Sequence, residues 1–183
     1  MDIDYKSVAS SQITLSQLML PSHSNFSGKI HGGYLLSLMD QIAFASGSKY
    51  SGKYCVTASV DRVDFLNPIE VGELVTLQAS VNYVGTSSMV VGIRVDSQNI
   101  QTGQVKHCNS SYFTMIAKDS SGTPIAVPRL LLSNKVEVMR YLKAAERITL
   151  RKQSYSAREP FGGDLAQAVS YIQQQCDAKI QLV

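Results

Sequence analysis

Five segments of the chain carry the residue pattern of β-strands. In most of them apolar and polar residues alternate with a period of two, which is typical of a strand with one buried face. The clearest case is the run from Val75 to Tyr83, where every second residue is apolar. Short turns join the last three segments, so we expect antiparallel pairing. The predicted strands cover residues 13–20, 54–66, 73–83, 89–95 and 105–117.

One helix is predicted between the first and second strands, after a loop at 21–30. Residues 32–47 are mostly good helix formers, and their apolar positions cover most of the helix circumference, which is typical of a buried helix. A long sheet with one apolar face needs a cover, and this helix is the only buried one available. We therefore predict an α+β fold in which a curved antiparallel sheet wraps around a long central helix.

The chain turns helical again from Ser133. A further short helix is predicted from Asp164 to Gln175, within a polar, glycine-containing tail. We divide the chain into a domain at 1–130, a basic C-terminal helix at 131–152 and a tail of unassigned role at 153–183.

Composition narrows the classes of protein that this chain can represent. With 183 residues, 44% apolar and 17% charged, it has the size and composition of one folded domain. No segment approaches the ~20 apolar residues of a membrane span, and the acidic N-terminus lacks the apolar stretch of a signal peptide, so we expect a cytoplasmic protein. Three distant cysteines, Cys55, Cys108 and Cys176, argue against a disulfide framework and a zinc site. We predict neither a metal nor a separate cofactor.

Asp40 is the first candidate for chemistry, because it is the only charged residue in the apolar helix. Burial raises the pKa of a carboxyl group unless a partner stabilises its charge, and such groups cluster at functional sites. An equally good interpretation is an aspartate that caps backbone groups or lies on the solvent side of the helix. The preceding His31-Gly32-Gly33 allows close approach to N–H groups at the helix N-terminus, although most Gly-Gly pairs are plain turns.

Two loops carry weaker signals. Asn25 could donate to a carbonyl or hold a water molecule, although a turn asparagine is the commoner role. The segment Gly85-Thr86-Ser87-Ser88 could bind phosphate or amide groups, and it is also a hairpin turn. His23, His31 and His107 are dispersed and lack metal-ligand spacing, so a structural role is favoured for each.

Basic residues concentrate near the C-terminus. Residues 129–152 hold seven of the 17 lysines and arginines, against two glutamates. A solvated helix face is the usual explanation, and an anionic or polyphosphate ligand is the functional one. Nucleic acid is not favoured, since the net charge is only +3 and interleaved exposed aromatic residues are absent.

Taken in order, these motifs resemble the hotdog-fold acyl-CoA thioesterases. The match runs over about residues 10–130, and it resembles the bacterial broad-range enzymes and the cytosolic long-chain acyl-CoA hydrolases of animals. The matching segments are Asn25, His31-Gly32-Gly33, Met39-Asp40, residues 56–61, Asp64-Phe65, Pro68, residues 85–89 and Val127-Pro128. The resemblance implies hydrolysis of fatty acyl-CoA to free fatty acid and coenzyme A, with no cofactor. It also implies side-by-side dimers that assemble as trimers of dimers.

The resemblance also implies roles for particular residues. Asp40 matches the catalytic aspartate, acting as general base or nucleophile, and Asn25 matches the catalytic asparagine, contributed by the partner subunit. Gly33 matches the residue whose backbone N–H polarises the thioester carbonyl. The implied contacts to coenzyme A are His31, Gly32, Thr57, Gly85, Thr86, Ser87, Ser88, Arg140, Lys143, Arg147 and Arg151.

Two other functions within this fold stay open. One is an acyl-CoA-binding sensor without hydrolysis, which the presence of both Asp40 and Asn25 disfavours. The other is a hydratase or dehydratase, which usually pairs a histidine with its carboxylate, and His31 is the only histidine near Asp40 in sequence.

Overall fold

A computed structural model describes residues 4–156, 164–175 and 180. Its main feature is a five-stranded sheet in the order β2-β4-β5-β6-β3, in which every neighbouring pair is antiparallel. The central helix packs against this sheet, which confirms the predicted α+β architecture. The strands of this sheet are β2 (Ile13–Leu18), β3 (Tyr54–Val60), β4 (Glu73–Val84), β5 (Ser88–Asn99) and β6 (Val105–Lys118).

The central helix α1 spans Gly32–Ser51 and therefore runs four residues beyond its predicted end. It ends at Gly52, whose φ of 67° is the left-handed conformation that glycine adopts without strain. One face of α1 packs against β-strands in a common core. The buried apolar residues of the helix are Leu35, Leu38, Met39, Ile42, Ala43 and Tyr50.

The predicted burial of α1 is incomplete in the single chain. The helix leaves a stripe exposed that runs along one side through Gly33, Ser37, Asp40, Gln41 and Phe44. The spacing of these residues follows the helical repeat, so they share one face. The sheet covers only part of the helix circumference, and the apolar Phe44 on the uncovered side is 39% exposed.

Two further differences from the predicted strands concern the end of β3 and an additional short pair. β3 ends at Val60 rather than at 66, although the N–H groups of Asp61 and Leu66 still donate to carbonyls of β6. A short parallel pair, β1 (Tyr5–Ser7) with β7 (Arg129–Leu131), was not predicted. Three residues are too few to show a period of two.

The two predicted C-terminal helices are confirmed as α2 (Lys135–Ser156) and α3 (Leu165–Gln175). The chain forms two compact units, Met1–Ala144 and Ala145–Val183. Residues 157–163, 176–179 and 181–183 of the predicted tail lie outside the described residues. Among the described helices, none has the length and apolar character needed to cross a bilayer.

The structure describes two of the three cysteines. Cys55 and Cys108 are buried free thiols, and Cys176 lies outside the described residues. Within residues 4–156, 164–175 and 180, no cluster of three histidine, cysteine or acidic side chains could hold a metal ion.

Glu73 carries a buried charge where β4 begins. Its carboxylate accepts hydrogen bonds from Ser97 Oγ at 2.7 Å and Glu70 N–H at 3.0 Å, and it pairs with Lys106 Nζ at 2.9 Å. Burial by itself raises the pKa of Glu73, but these hydrogen bonds and the charge of Lys106 outweigh it and lower the pKa below the ordinary value. The network therefore stabilises the fold only while Glu73 is ionised.

Glu73→Gln is expected to lower the free energy of unfolding by about 1–3 kcal/mol at pH 7, because a buried charged partner is lost. A depressed carboxyl pKa contributes stability above the ordinary pKa and loses it as pH falls through the folded-state pKa. The difference between wild type and variant should therefore shrink below about pH 4. Urea unfolding at pH 7 and pH 3 measures it. Glu70→Gln removes an exposed ion pair with Lys29 and serves as the control, with an effect near zero. A difference that persists unchanged at pH 3 would contradict this account of Glu73.

Candidate active site

The centre of the site is a contact between Asp40 of α1 and Thr57 of β3. Thr57 Oγ1 donates a hydrogen bond to Asp40 Oδ1 at 2.5 Å. The β3–β6 register shifts between Thr57 and Ser59, and a bulge of this kind re-aims the neighbouring side chains. Asp40 Oδ2 has no hydrogen-bond partner among the described residues, so one carboxylate oxygen is held and the other is available.

The burial expected for Asp40 is not found in the single chain. Asp40 lies on the exposed stripe of α1, as the alternative interpretation of the sequence allowed. The core side of the helix packs against the sheet, while Thr57 of the edge strand β3 reaches Asp40 on the other side, and Asp40 itself stays exposed. Water or a substrate atom can therefore approach the free oxygen Oδ2 directly.

The N-terminus of α1 faces the same side as Asp40. His31 caps the helix: its Nδ1 accepts from Gly33 N–H at 2.9 Å, and its carbonyl accepts from Tyr34 N–H at 3.0 Å. The N–H of Gly32 has no acceptor within the described part of the chain. The Gly33 N–H predicted to polarise a carbonyl is thus engaged by His31, and a substrate oxygen would have to replace or share that bond. Gly33 and Asp40 are two helical turns apart, about 10 Å along the axis.

Each glycine of the His31-Gly32-Gly33 motif makes room for an aromatic ring. A Cβ added at Gly32 would lie 3.1 Å from Phe65 Cζ, and one added at Gly33 would lie 2.9 Å from His31 Cε1. The sequence indicated close approach at these positions, but it could not identify the approaching ring. Phe65 belongs to the Asp64-Phe65 motif that carries the family resemblance, and this motif is the signal that could have pointed to it.

Asn25 has the turn role that the sequence favoured, and its amide donor stays open. Its Oδ1 accepts hydrogen bonds from Ser27 N–H at 2.9 Å, Ser27 Oγ at 2.7 Å and Lys29 N–H at 3.2 Å, so the side chain holds its own loop. The Nδ2 group donates to no acceptor among the described residues and is free to bind a ligand. Within one chain Asn25 and Asp40 share no hydrogen bond, so the structure does not join these two predicted site residues.

The segment 85–88 is the hairpin turn between β4 and β5, closed by the bond from Gly85 N–H to Ser88 O at 2.8 Å. Ser88 pairs with Ile116, which pairs in turn with Val56 beside Thr57. The turn and Thr57 therefore lie at the same end of the sheet, about 10 Å apart across two strand spacings. Arg129, which sequence reasoning did not single out, donates to Gly85 O at 2.9 Å and places a positive charge at this turn.

The basic residues of α2 are divided between the two compact units. Arg140 and Lys143 belong to the first unit and are exposed, while Arg147 and Arg151 belong to the second. Arg140 lines a polar pocket together with residues of β2, β4, β5 and β6.

Comparison with known proteins assigns this chain to the thioesterase superfamily. The thioesterase superfamily model matches residues 27–104, which include Asp40, Thr57 and the turn at 85–88. The chain belongs to this family, as relatives of similar length also show. It is 42% identical to Protein VdlD of Helicobacter pylori, covering 79% of this chain and 82% of that one. It is 36% identical to the uncharacterized acyl-CoA thioester hydrolase YkhA of Bacillus subtilis, with 78% and 83% covered.

Solved structures give the same result. A hexameric acyl-CoA thioesterase in its apo form superimposes with a TM-score of 0.83 at 35% identity, covering 85% of this chain and all of that one. An acyl-CoA hydrolase from Staphylococcus aureus, solved with butyryl coenzyme A and coenzyme A, has a TM-score of 0.78 at 31% identity, with 93% and 99% covered. That hydrolase was also solved with single alanine substitutions at an aspartate, an asparagine and a threonine. The predicted hotdog fold is thereby confirmed.

Proposed function

We propose that this protein hydrolyses fatty acyl-CoA to a free fatty acid and coenzyme A, with Asp40 as the catalytic carboxylate. The observation that carries the proposal is the Asp40–Thr57 contact on the exposed face of α1. Gly33, in the first turn of this helix, lies on the same face. A thioester needs a nucleophile and a polarised carbonyl, and these groups supply both without a metal.

The chemistry of these groups allows two routes. As general base, Asp40 takes a proton from water while the water oxygen bonds to the thioester carbonyl carbon. The C–S bond then breaks, and the thiol leaves with the proton that Asp40 took. As nucleophile, Asp40 itself attacks, the C–S bond breaks to release a thiolate that takes a proton from solvent, and water then hydrolyses the resulting anhydride and restores the carboxylate. In either route the carbonyl oxygen gains negative charge, which the helix N-terminus stabilises through its N–H groups and dipole.

The spacing of three residues supports this assignment. In the Staphylococcus aureus hydrolase, the substituted asparagine and aspartate are 15 positions apart, and the aspartate and threonine are 17 positions apart. Asn25 and Asp40 are likewise 15 positions apart, and Asp40 and Thr57 are 17 positions apart. Residue type and spacing coincide for the three residues, so we assign Thr57 to the catalytic centre, where it orients the carboxylate.

We further propose that the site is completed by a second subunit, which contributes Asn25. Two features support a partner on this face. In the described part of the chain β3 is an edge strand paired with β6 alone, and Phe44 packs edge-on against Tyr54 at 5.5 Å although the side chains are 39% and 64% exposed. An exposed aromatic pair beside an open strand edge is typical of a protein interface. A dimer formed here, assembled as a trimer of dimers, accords with the hexameric state of a similar thioesterase.

Release of free thiol from acyl-CoA tests the proposed activity. Purified protein incubated with acyl-CoA of several chain lengths should produce coenzyme A thiol continuously and stoichiometrically with free fatty acid. Tight binding of acyl-CoA without thiol release would instead indicate a sensor. Consumption of an enoyl-CoA with the thioester intact would indicate a hydratase.

The contacts to coenzyme A that we propose for the basic residues of α2 give a separate prediction. These residues are Arg140, Lys143, Arg147 and Arg151. Lys143→Ala combined with Arg147→Ala should raise KM for acyl-CoA by about 10-fold and change kcat less, because contacts to a remote phosphate act equally in ground and transition states. The rise in KM should weaken with added salt. Steady-state kinetics at low and high ionic strength measure both effects.

Lys135→Ala removes one charge from the start of the same helix and is the control for that experiment. It should leave KM within about twofold of the wild-type value. A double variant with an unchanged KM at low salt would show that Lys143 and Arg147 are surface residues that do not bind coenzyme A.

A further inference from the structure

A polar pocket of about 380 Å³ opens on the face of the sheet opposite α1. In β4 the core-facing residues include Leu77 and Ala79, so Gln78 and Ser80 point to the other face. Pairing across the strands places Gln78, Arg94 and Ser110 in one row of the pocket floor and Ser80, Gly92 and Tyr112 in the next. The sheet therefore separates the pocket from α1, the helix that carries Asp40.

The buried amide of Asn82 lines this pocket, and its Nδ2 donor is unpaired among the described residues. Asn82 is 6% exposed, and its Oδ1 accepts from Ser80 Oγ at 3.1 Å. Its Nδ2 has no hydrogen-bond acceptor among the residues the structure describes. Asn82 is the bulged residue of β4, and its Nδ2 lies 2.1 Å from where a Cβ of Gly92 would be. The missing side chain at Gly92 therefore admits this donor to the pocket.

The charged side chains that line the pocket are both basic. Its lining includes the guanidinium groups of Arg94 and Arg140 and no carboxylate. Asp96 accepts from Arg94 Nε at 2.7 Å, so the two terminal amino groups of Arg94 remain available. Arg140 has no hydrogen-bond or ion-pair partner in the described part of the chain. Two guanidinium groups with free donors, joined by hydroxyl and amide groups, match the requirements of a phosphate.

We propose that this pocket binds a phosphate group of a small molecule, with Arg94, Arg140 and Asn82 as the donors. The ligand is either a free phosphate compound or the phosphorylated adenosine end of coenzyme A, since both offer the same chemistry. The pocket lies on the opposite face of the sheet from α1, so binding there does not depend on the hydrolysis proposed for Asp40.

Isothermal titration calorimetry of the full chain at low salt tests the proposal. The probes are inorganic phosphate, adenosine 5′-monophosphate and adenosine 3′,5′-bisphosphate. We expect at least one to bind with a Kd below about 1 mM. Arg140→Gln should weaken that binding about 10-fold or more, because a charge-assisted contact is lost. Lys135→Gln removes the same charge from the same helix outside the pocket and should change the Kd less than twofold.

A second variant acts from the sheet side of the pocket. Asn82→Asp keeps the side-chain shape, removes the Nδ2 donor and adds a negative charge, so it should also weaken binding about 10-fold or more. The melting temperature of each variant shows whether it is folded. Asp40→Asn should bind the probe as well as wild type does, which separates this result from any failure of the proposed hydrolysis.

The pattern across probes identifies the source of the phosphate. Binding of all three probes indicates a free phosphate compound, and binding of the bisphosphate alone indicates the adenosine end of coenzyme A. The proposal is overturned if no probe binds at 10 mM, or if Arg140→Gln and Lys135→Gln weaken binding equally.

Discussion

Asp40→Asn is expected to lower kcat for acyl-CoA hydrolysis by about 10²–10⁴-fold, the usual contribution of a positioned base. The asparagine keeps the side-chain shape and can still accept the hydrogen bond from Thr57, so the helix and β3 should hold their positions. The lost property is the ability to take a proton or to attack the carbonyl. Thiol release under saturating substrate measures the effect, and KM should change little.

The control for this variant is Asp119→Asn, which makes the same chemical change in an exposed turn after β6. Its kcat should stay within about twofold of wild type. Near-normal kcat in Asp40→Asn would refute both catalytic routes, since each requires the carboxylate.

Asn25 needs a sharper variant because its two side-chain atoms have different roles. Asn25→Ala should lower kcat, but it also removes the Oδ1 acceptor that holds the loop at Ser27 and Lys29. Asn25→Asp keeps an acceptor there and removes only the Nδ2 donor. Low activity in both variants supports a catalytic donor, whereas activity retained in Asn25→Asp would show that the loop contacts alone matter.

Mixing the two inactive proteins is expected to restore activity. If Asp40 and Asn25 of one site come from different subunits, an exchanged dimer of Asp40→Asn and Asn25→Ala chains has one site with both wild-type residues and one site with neither. A random mixture then holds about half of its dimers in the mixed form, so activity should rise from background to roughly a quarter of the wild-type value. The gain is far larger than the residual activity of either variant.

Two measurements make this result interpretable. Light scattering should show a dimer or hexamer at assay concentration, and differently tagged chains purified together should show that subunits have exchanged. Activity that remains at background after verified exchange would refute the shared site, and an active monomer would refute the dimer itself.

The sequence predicted the fold well because the determining signals are long and periodic. Alternation over β4 and β5 spans many residues, and this repetition survives local exceptions. The short β1–β7 pair has no such repetition. The sequence left the exposure of Asp40 open for a different reason: hydrophobic content shows how apolar a helix is, but the side left uncovered depends on how far the sheet curves around it.

The candidate residues of the site could be proposed from the sequence, but their contacts could not. Asp40, Asn25 and Gly33 are candidates through their motif, while the bond from Thr57 to Asp40 joins residues 17 positions apart on a helix and a strand. The capping of Gly33 by His31 joins residues only two positions apart. The sequence did not predict this bond, because it depends on the rotamer of the imidazole ring. The pocket formed by Arg94, Asn82 and Arg140 depends on strand register and a bulge, neither of which leaves a pattern in the sequence.

The imidazole that caps α1 affects how strongly Gly33 N–H binds the substrate carbonyl compared with the oxyanion formed later in the proposed reaction. Gly33 N–H already has an acceptor in His31 Nδ1, so an incoming oxygen gains only the difference between two hydrogen bonds. The neutral carbonyl of a resting thioester is a weak competitor, whereas a tetrahedral oxyanion forms a charge-assisted bond about twice as strong. Because of the cap, this N–H donor adds little to the binding of the substrate carbonyl and more to the binding of the transition-state oxyanion. The difference between these two binding free energies is what accelerates a reaction.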